Sequence, residues 1–380
     1  MSSAELPIAG AERAVEVEEK HRRVAEFLSS RGLDALLLQR PANFAWFTAG
    51  ADCTRGSSAE PAAALFVTPQ ARVLVCGNAD TSQLFERELP ALGFQLKERP
   101  WHEPRQVLID DLCRGRRVAS DTGVCGTLDV SGELTRLRFP LTERECQRLR
   151  ELGRIVVHAL EATARSLEPG RSQAEVAGEL AHRLIRHLVR PERIQVLADG
   201  IGRRYRHWNY DDTSVDRWCV LSVVGRRHGL CLGAARTVCF GRPPDDVEKF
   251  FRHAVLVHAT GLFFSKVDWQ LGDTWARVAR IYEKYGAAEE WRLSDQGDVT
   301  AYELSEVPVV PGSPFRLTAR MPLFWHPSVG PCLMGDTILV GSSRTRQGKG
   351  FEILTPPANW PTVSVEVKGV PLRCPGLLVR

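Results

Sequence analysis

Two histidines and a short run of acids are the residues of this chain best suited to moving protons. His207 stands in Arg206-His207-Trp208, His326 stands in Trp325-His326-Pro327-Ser328, and Asp298 and Glu306 share one strand-turn segment. An imidazole titrates near neutral pH, so it suits proton transfer between an attacking water and a leaving nitrogen, and a neighbouring carboxylate would orient the ring. A structural role competes in each case: a core or loop histidine with one partner, or a solvated turn acid. Asp295 and Glu303 carry the same two readings. Tyr205, Trp208 and Trp325 would wall a small organic ligand, or else fill a core. His228, in Arg226-Arg227-His228-Gly229, falls at the turn of a strand pair, where a surface role competes with ligand contact.

Other chemistries lack their signatures. The ten Cys are scattered without a CxxC pair, which argues against zinc ribbons and disulfide scaffolds. Gly-Xaa-Ser-Xaa-Gly, a phosphate-cradling loop and a dinucleotide glycine motif are all absent, and no cofactor is expected. Cys231 and Cys332 would need depressed thiol pKa values to act as nucleophiles; both read as small buried apolar residues.

The elements that must position these groups follow from periodicity and punctuation. Residues 14–32 read as a helix ended by Gly32; strands at 35–38, 62–67 and 72–75 follow, then helices near 81–88 and 104–112 around a strand at 117–120. An α/β domain over 1–140 results. A helical stripe through Leu149, Leu152, Val156 and Leu160 opens the second domain, 141–380, and Ser172 with Glu175 forms a capping-box pattern for the next helix. Helices at 247–264 and 273–285 repeat the pair, and strand-rich segments follow each pair, at 218–240 and 315–340. The order predicts an α+β domain with internal pseudo-duplication.

At 380 residues, two domains are the default. Hydrophobic residues at 43% and charged residues at 25% match an ordinary globular protein. The net charge of +4 is spread thinly, without the basic and aromatic interleaving of a nucleic-acid surface. No apolar run approaches the roughly 18 residues of a membrane span, and the acidic start lacks secretory character. A cytoplasmic location is expected.

Several motifs carry a family resemblance. Gly32-Leu33-Asp34-Ala35-Leu36 with Asn43-Phe44-Ala45-Trp46-Phe47-Thr48-Ala49-Gly50 resembles the N-terminal domain of the creatinase, prolidase and aminopeptidase P family. Gly229-Leu230, Arg236-Thr237-Val238, Phe240-Gly241, Trp325-His326-Pro327-Ser328, Asp336-Thr337, Glu352-Ile353-Leu354-Thr355 and Trp360-Pro361 are similar to its C-terminal pita-bread domain. The resemblance implies an enzyme using two metals to activate water and polarise an amide carbonyl, and a homodimer. It also places Ser222, Gly233, Asp298, His326 and Gly335 where the family has its five metal ligands, with Ser294 and Ser305 at substrate-side positions. Two donors, Asp298 and His326, cannot rebuild a dinuclear cage; a single metal on them stays open. His207, fifteen residues before Ser222, matches the family's pocket histidine, which serves creatinase as acid and base. Ala235 and His326 stand where creatinase grips a guanidinium, which argues against creatine as substrate.

The expected function is a metal-independent enzyme of specialised metabolism acting on a small amide-like or amino-acid-derived molecule. His207, His326 and Asp298 would carry acid/base chemistry, be it hydrolysis, elimination or cyclisation. Trp208, Tyr205, His228, Glu306, Ser294, Ser222 and Trp325 are expected to contact the substrate, with no metal, nucleic acid or membrane involved. Two alternatives remain: a non-catalytic module binding a small ligand or protein, and a residual Xaa-Pro-type metallopeptidase.

Overall fold

A computed structural model of the chain describes residues 8–56, 60–341 and 350–380. Its contacts cluster into two units, Met1–Arg144 and Glu145–Arg380.

The first unit begins with α1 (Ile8–Arg31), β1 (Ala35–Leu38), α2 (Pro41–Phe47), β2 (Ala63–Val67), β3 (Arg72–Gly77) and α3 (Asn78–Thr81). A π-helical stretch, Ser82–Glu88, precedes β4 (Gln95–Arg99), α4 (Gln106–Cys113), β5 (Val118–Ser120), β6 (Leu128–Asp129) and α5 (Ser131–Leu137). The strands form one mixed sheet in the order β4-β3-β2-β1-β5-β6. Leu37, Ala64, Phe66, Val75 and Ile109 build a core on one side of it. The sequence reading has no counterpart for α2, a single short helix of which all but Pro41 is buried.

The second unit opens with α6 (Glu143–Ser166), α7 (Gln173–Ile185), β7 (Arg190–Ala198), β8 (Trp218–Arg227) and β9 (Leu230–Cys239). Both halves of the Ser172–Glu175 capping box are formed at the start of α7. Next come α8 (Asp245–Phe264), α9 (Leu271–Lys284), β10 (Gly297–Val299), β11 (Val307–Pro308), β12 (Met321–Trp325), β13 (Ser328–Val329), β14 (Cys332–Leu333) and β15 (Asp336–Val340). The chain closes with β16 (Phe351–Ile353), β17 (Thr362–Val367), β18 (Val370–Pro375) and β19 (Leu377–Val379).

Two sheets carry the functional face, one ordered β19-β9-β8-β7 and the other β11-β10-β12-β15-β16. An isolated bridge between Ala235 and Gly335 joins them. Residues paired across neighbouring strands project to the same face. Arg193, Val224 and Gly233 therefore share a face with Gln195, Ser222 and Ala235. In the other sheet Asp298, Phe324 and Thr337 are in register. Thr337 clasps the backbone of Gly233, its Oγ1 accepting from the amide at 3.1 Å and donating to the carbonyl at 2.8 Å.

Candidate active site

Asp298 lies on β10 and His326 one residue beyond β12, two positions after Phe324 on the same face. His326 Nε2 is 2.9 Å from Asp298 Oδ2, and Ser305 Oγ donates to Asp298 Oδ1 at 2.5 Å. Both residues of the pair are buried, and the His326 ring tilts against that of Phe324 at 4.7 Å. The His326 amide donates to Gln296 O at 2.9 Å, and Tyr282 OH donates to the Gln296 side chain, so the strand end beneath the imidazole is tied down. With Nε2–H donating to Asp298, Nδ1 is left as the basic nitrogen.

Asp295 extends the cluster towards solvent. Its Oδ2 is 3.9 Å from His326 Nε2 and its Oδ1 is 3.5 Å from His207 Nε2. Burial alone would push the Asp295 carboxyl up, but His326, the Ser294 hydroxyl bond, His207 and Arg193 outweigh it and hold the group below the usual carboxylate range. His207 is exposed at the rim, and its loop is anchored from both sides. Gln195 Nε2 donates to the carbonyls of Arg206 and Trp208 at 3.2 and 3.0 Å, while the Arg206 guanidinium binds Ser328 Oγ, Gly330 O and Glu290.

The structure thus brings His207, Asp298, His326 and Ser294 into one hydrogen-bonded and electrostatic group, with Ser294 Oγ donating to Asp295 Oδ1 at 2.9 Å. Ser222 faces the same side of the sheets from β8, buried, its Oγ without a hydrogen-bond partner. Other expected contacts fall elsewhere. Trp325 is fully buried on the opposite face, over Gly261 of α8, with Nε1 donating to Ser265 Oγ at 2.9 Å; it is a core residue and not a pocket wall. Adjacent strand residues point to opposite faces, so Trp325 and His326 cannot both face the site. Glu306 staples a turn, accepting from the amides of Tyr302 and Glu303 at 3.0 and 3.1 Å. His228 occupies the exposed β8–β9 turn at φ 52°. The Tyr205 and Trp208 rings pack tilted against one another with centroids 5.5 Å apart, and Trp208 Nε1 donates to Gln173 on α7. Cys231 is buried and its thiol pushed up to about 12, which removes a thiolate nucleophile.

Arg193 is the participant the sequence reading lacks, because that reading places no strand at 190–198. Its Nε is buried without a hydrogen-bond partner; burial lowers its pKa, and Asp295 and Asp298 are the charges that counter this. An arginine at the head of the strand-like run Ile194-Gln195-Val196-Leu197 was the available signal.

Among the described residues, one grouping brings three candidate metal donors within 4.8 Å of one another: Asp295, Asp298 and His326. A two-metal centre requires more oxygen donors than three single atoms supply. The strand positions beside them are Ser222, Gly233, Ala235 and Gly335, and a Cβ at Gly233 would sit 2.5 Å from the Phe324 ring. The residues present do not fit a dinuclear centre.

Residues 147–331 match metallopeptidase family M24. By sequence, the chain matches no curated protein. Among solved structures it is similar to the Xaa-Pro dipeptidase from Bacillus anthracis (TM-score 0.72, 16% identity, covering 96% of this chain and 100% of that one). Dipeptidase PepE from Mycobacterium ulcerans is similar at TM-score 0.76 and 17% identity, covering 96% and 98%. The N-terminal domain of the FACT complex subunit SPT16 from chickpea, Cicer arietinum, matches at TM-score 0.70 and 11% identity, covering 93% and 98%. The chain therefore has the two-unit pita-bread fold of the prolidase and dipeptidase structures it matches, and residues 147–331 within it are similar to metallopeptidase family M24.

Proposed function

We propose that this protein hydrolyses an amide bond in a small amino-acid-derived molecule by metal-independent acid/base chemistry at His326. The observation that carries the reading is the buried 2.9 Å contact between His326 Nε2 and Asp298 Oδ2. Asp298 fixes the ring orientation and stabilises the imidazolium. His326 Nδ1 takes a proton from a water as its oxygen adds to the amide carbon, then returns that proton to the leaving nitrogen as the C–N bond breaks. A carboxylic acid and an amine result. His207, with Asp295, sits at the rim where the leaving group would depart. The fold alone does not choose an enzyme, since both peptidases and an SPT16 domain share it. The paired imidazole and carboxylates favour chemistry.

A second reading has its own observation. Asp295, Asp298 and His326 present three donors within 4.8 Å, so one divalent cation held there would leave open positions for water and substrate. Arg193 opposes it, because a guanidinium beside the carboxylates already supplies positive charge. The test combines elemental analysis with turnover of a panel of N-acyl amino acids and dipeptides. Turnover that survives chelator, without stoichiometric metal, and falls about 10²–10⁴-fold in His326→Ala supports the first reading. One tightly held metal per chain and chelator-sensitive turnover would replace it with the second. Absence of turnover across the panel would count against both, leaving a binding protein.

A further inference from the structure

Arg193 and Ser222 are neighbours on one sheet face, each presenting a buried polar atom that nothing among the described residues satisfies. Arg193 pairs with Val224 across β7 and β8, and Ser222 lies two residues from Val224 on the same strand and face. That diagonal brings side chains within reach of a common small group. Arg193 Nε and Ser222 Oγ are both buried without a hydrogen-bond partner. Ser222 is 1% exposed. The nearby carboxylates are already engaged: Asp298 by Ser305 and His326, Asp295 by Ser294, with His207 beside it. Arg193 Nε–H is thus a buried donor without an acceptor, and an unmade buried hydrogen bond costs stability that an arriving anion recovers.

We propose that Arg193 and Ser222 form a carboxylate subsite, so that the substrate is a molecule with a free carboxylate whose scissile amide then faces His326. The inference rests on the proposed hydrolysis for the role of the amide, but not for the anion site. The guanidinium takes the carboxylate by charge-assisted hydrogen bonds, and Ser222 Oγ–H donates to it. The site then has two halves: a cationic one on β7 and β8, and one on β10 and beyond β12 where Asp298 and His326 handle protons. A neutral amide at the carboxylate position would forgo the charge-assisted hydrogen bonds, which makes the subsite selective.

The test uses the full chain and reads binding without turnover. N-acetyl derivatives of glycine, alanine, leucine, phenylalanine and proline are titrated beside their primary carboxamides by calorimetry and by the shift in melting temperature. At least one acid is expected to bind ten or more times more tightly than its amide. Arg193→Gln abolishes that preference, Arg193→Lys restores part of it, and Ser222→Ala weakens the acid several-fold. If no acid outbinds its amide, or if Arg193→Gln keeps the preference, the subsite is wrong. Arg193→Met supplies a second reading: it is expected to bind each acid and its amide alike, and an acid preference that survives it overturns the proposal. Acid preference intact in a His326→Ala variant that has lost turnover fits both readings. Acid preference without any turnover in the wild type would sink the hydrolysis and leave the subsite standing.

Discussion

Asp298 and His326 are far apart in sequence and meet only because β10 and β12 pair with Asp298 opposite Phe324. Asp298→Asn tests what that carboxylate does, because it keeps the shape and removes the charge. An amide can still accept from Nε2–H, so His326 stays oriented, but the imidazolium formed during reaction loses its counter-charge. Turnover is expected to fall by about 10²-fold or more, with the substrate concentration for half-maximal rate nearly unchanged, as for an interaction made mainly in the transition state. A parallel loss of binding and rate would point to a positional role instead. That an acid of this segment would meet His326 was legible from residue type and motif order, and the contact with Asp298 is what the fold supplies. Asp295 and Arg193 were harder, since their role depends on register: the ladder between β7 and β8 shifts between Pro191 and Arg193, and only past that irregularity does Arg193 fall opposite Val224. Trp325 was misread although the two-residue strand period was available, since pairing with Asp336 in the sheet puts its indole on the face away from His326.

At the level of strands, Gly233 and Phe324 define why the face is shaped as it is. The family resemblance singles out Gly233 as a position where a metal ligand would stand, but not what fills the space; only the meeting of the two sheets brings Phe324 over it, with Val224 and Cys231 around the ring. Gly233→Ala is expected to cost about 1–3 kcal/mol by overpacking, and Phe324→Ala about 3–5 kcal/mol by leaving a cavity. The double variant should recover at least about 1 kcal/mol relative to the sum, because each change removes the other's problem. Strict additivity in denaturant melts would show that the ring does not press on Gly233. A second strand-level consequence concerns α8. Its His258 is buried, neither ring nitrogen has a hydrogen-bond partner, and Nε2 is 3.6 Å from Asp336 Oδ2. Burial, then Arg236, pushes His258 down to about 3, while burial pushes Asp336 up to about 6 against the pull of Arg236 and Thr355. A depressed histidine gives stability that is present above the unfolded value of 6.5 and is lost as pH falls towards about 3. The raised aspartate acts oppositely, gaining stability as pH falls from about 6 towards 3.8, so the two offset each other in wild type. His258→Leu removes only the first contribution. Its stability relative to wild type should rise by about 1.4 kcal/mol per pH unit as pH is lowered below 6.5, and a flat difference in urea titrations at several pH values would show that His258 is not held neutral.

Across the whole chain, each unit has its own sheets, and the family match lies wholly within the second. What unites that unit is a buried ionic knot that sequence reading noted only as part of the motif Arg236-Thr237-Val238. Arg236 is 1% exposed and reaches four parts of the unit: Glu161 on α6 at 3.3 Å, Asp336 on β15 at 3.1 Å, Thr355 O beyond β16 at 2.9 Å, and its own strand at Ala235 O. Glu161 in turn accepts from the amides of Ala358 and Asn359, at 3.2 and 3.1 Å, so the chain after β16 is fastened to α6 through the same carboxylate. This is the place where both sheets, a helix and the C-terminal strands depend on one side chain. Burying the knot is costly in itself, and apolar residues of matching volume in place of all its members need not weaken the fold; removing only the cation strands two buried carboxylates. Arg236→Leu is therefore expected to cost about 3–5 kcal/mol, seen as a lower denaturant midpoint with an unchanged slope. Adding Glu161→Gln and Asp336→Asn to that variant should return part of the loss, because the uncompensated charges go with the residues that carried them. If the triple variant is instead less stable than Arg236→Leu alone, the carboxylates hold the unit together through their backbone hydrogen bonds and not through the arginine.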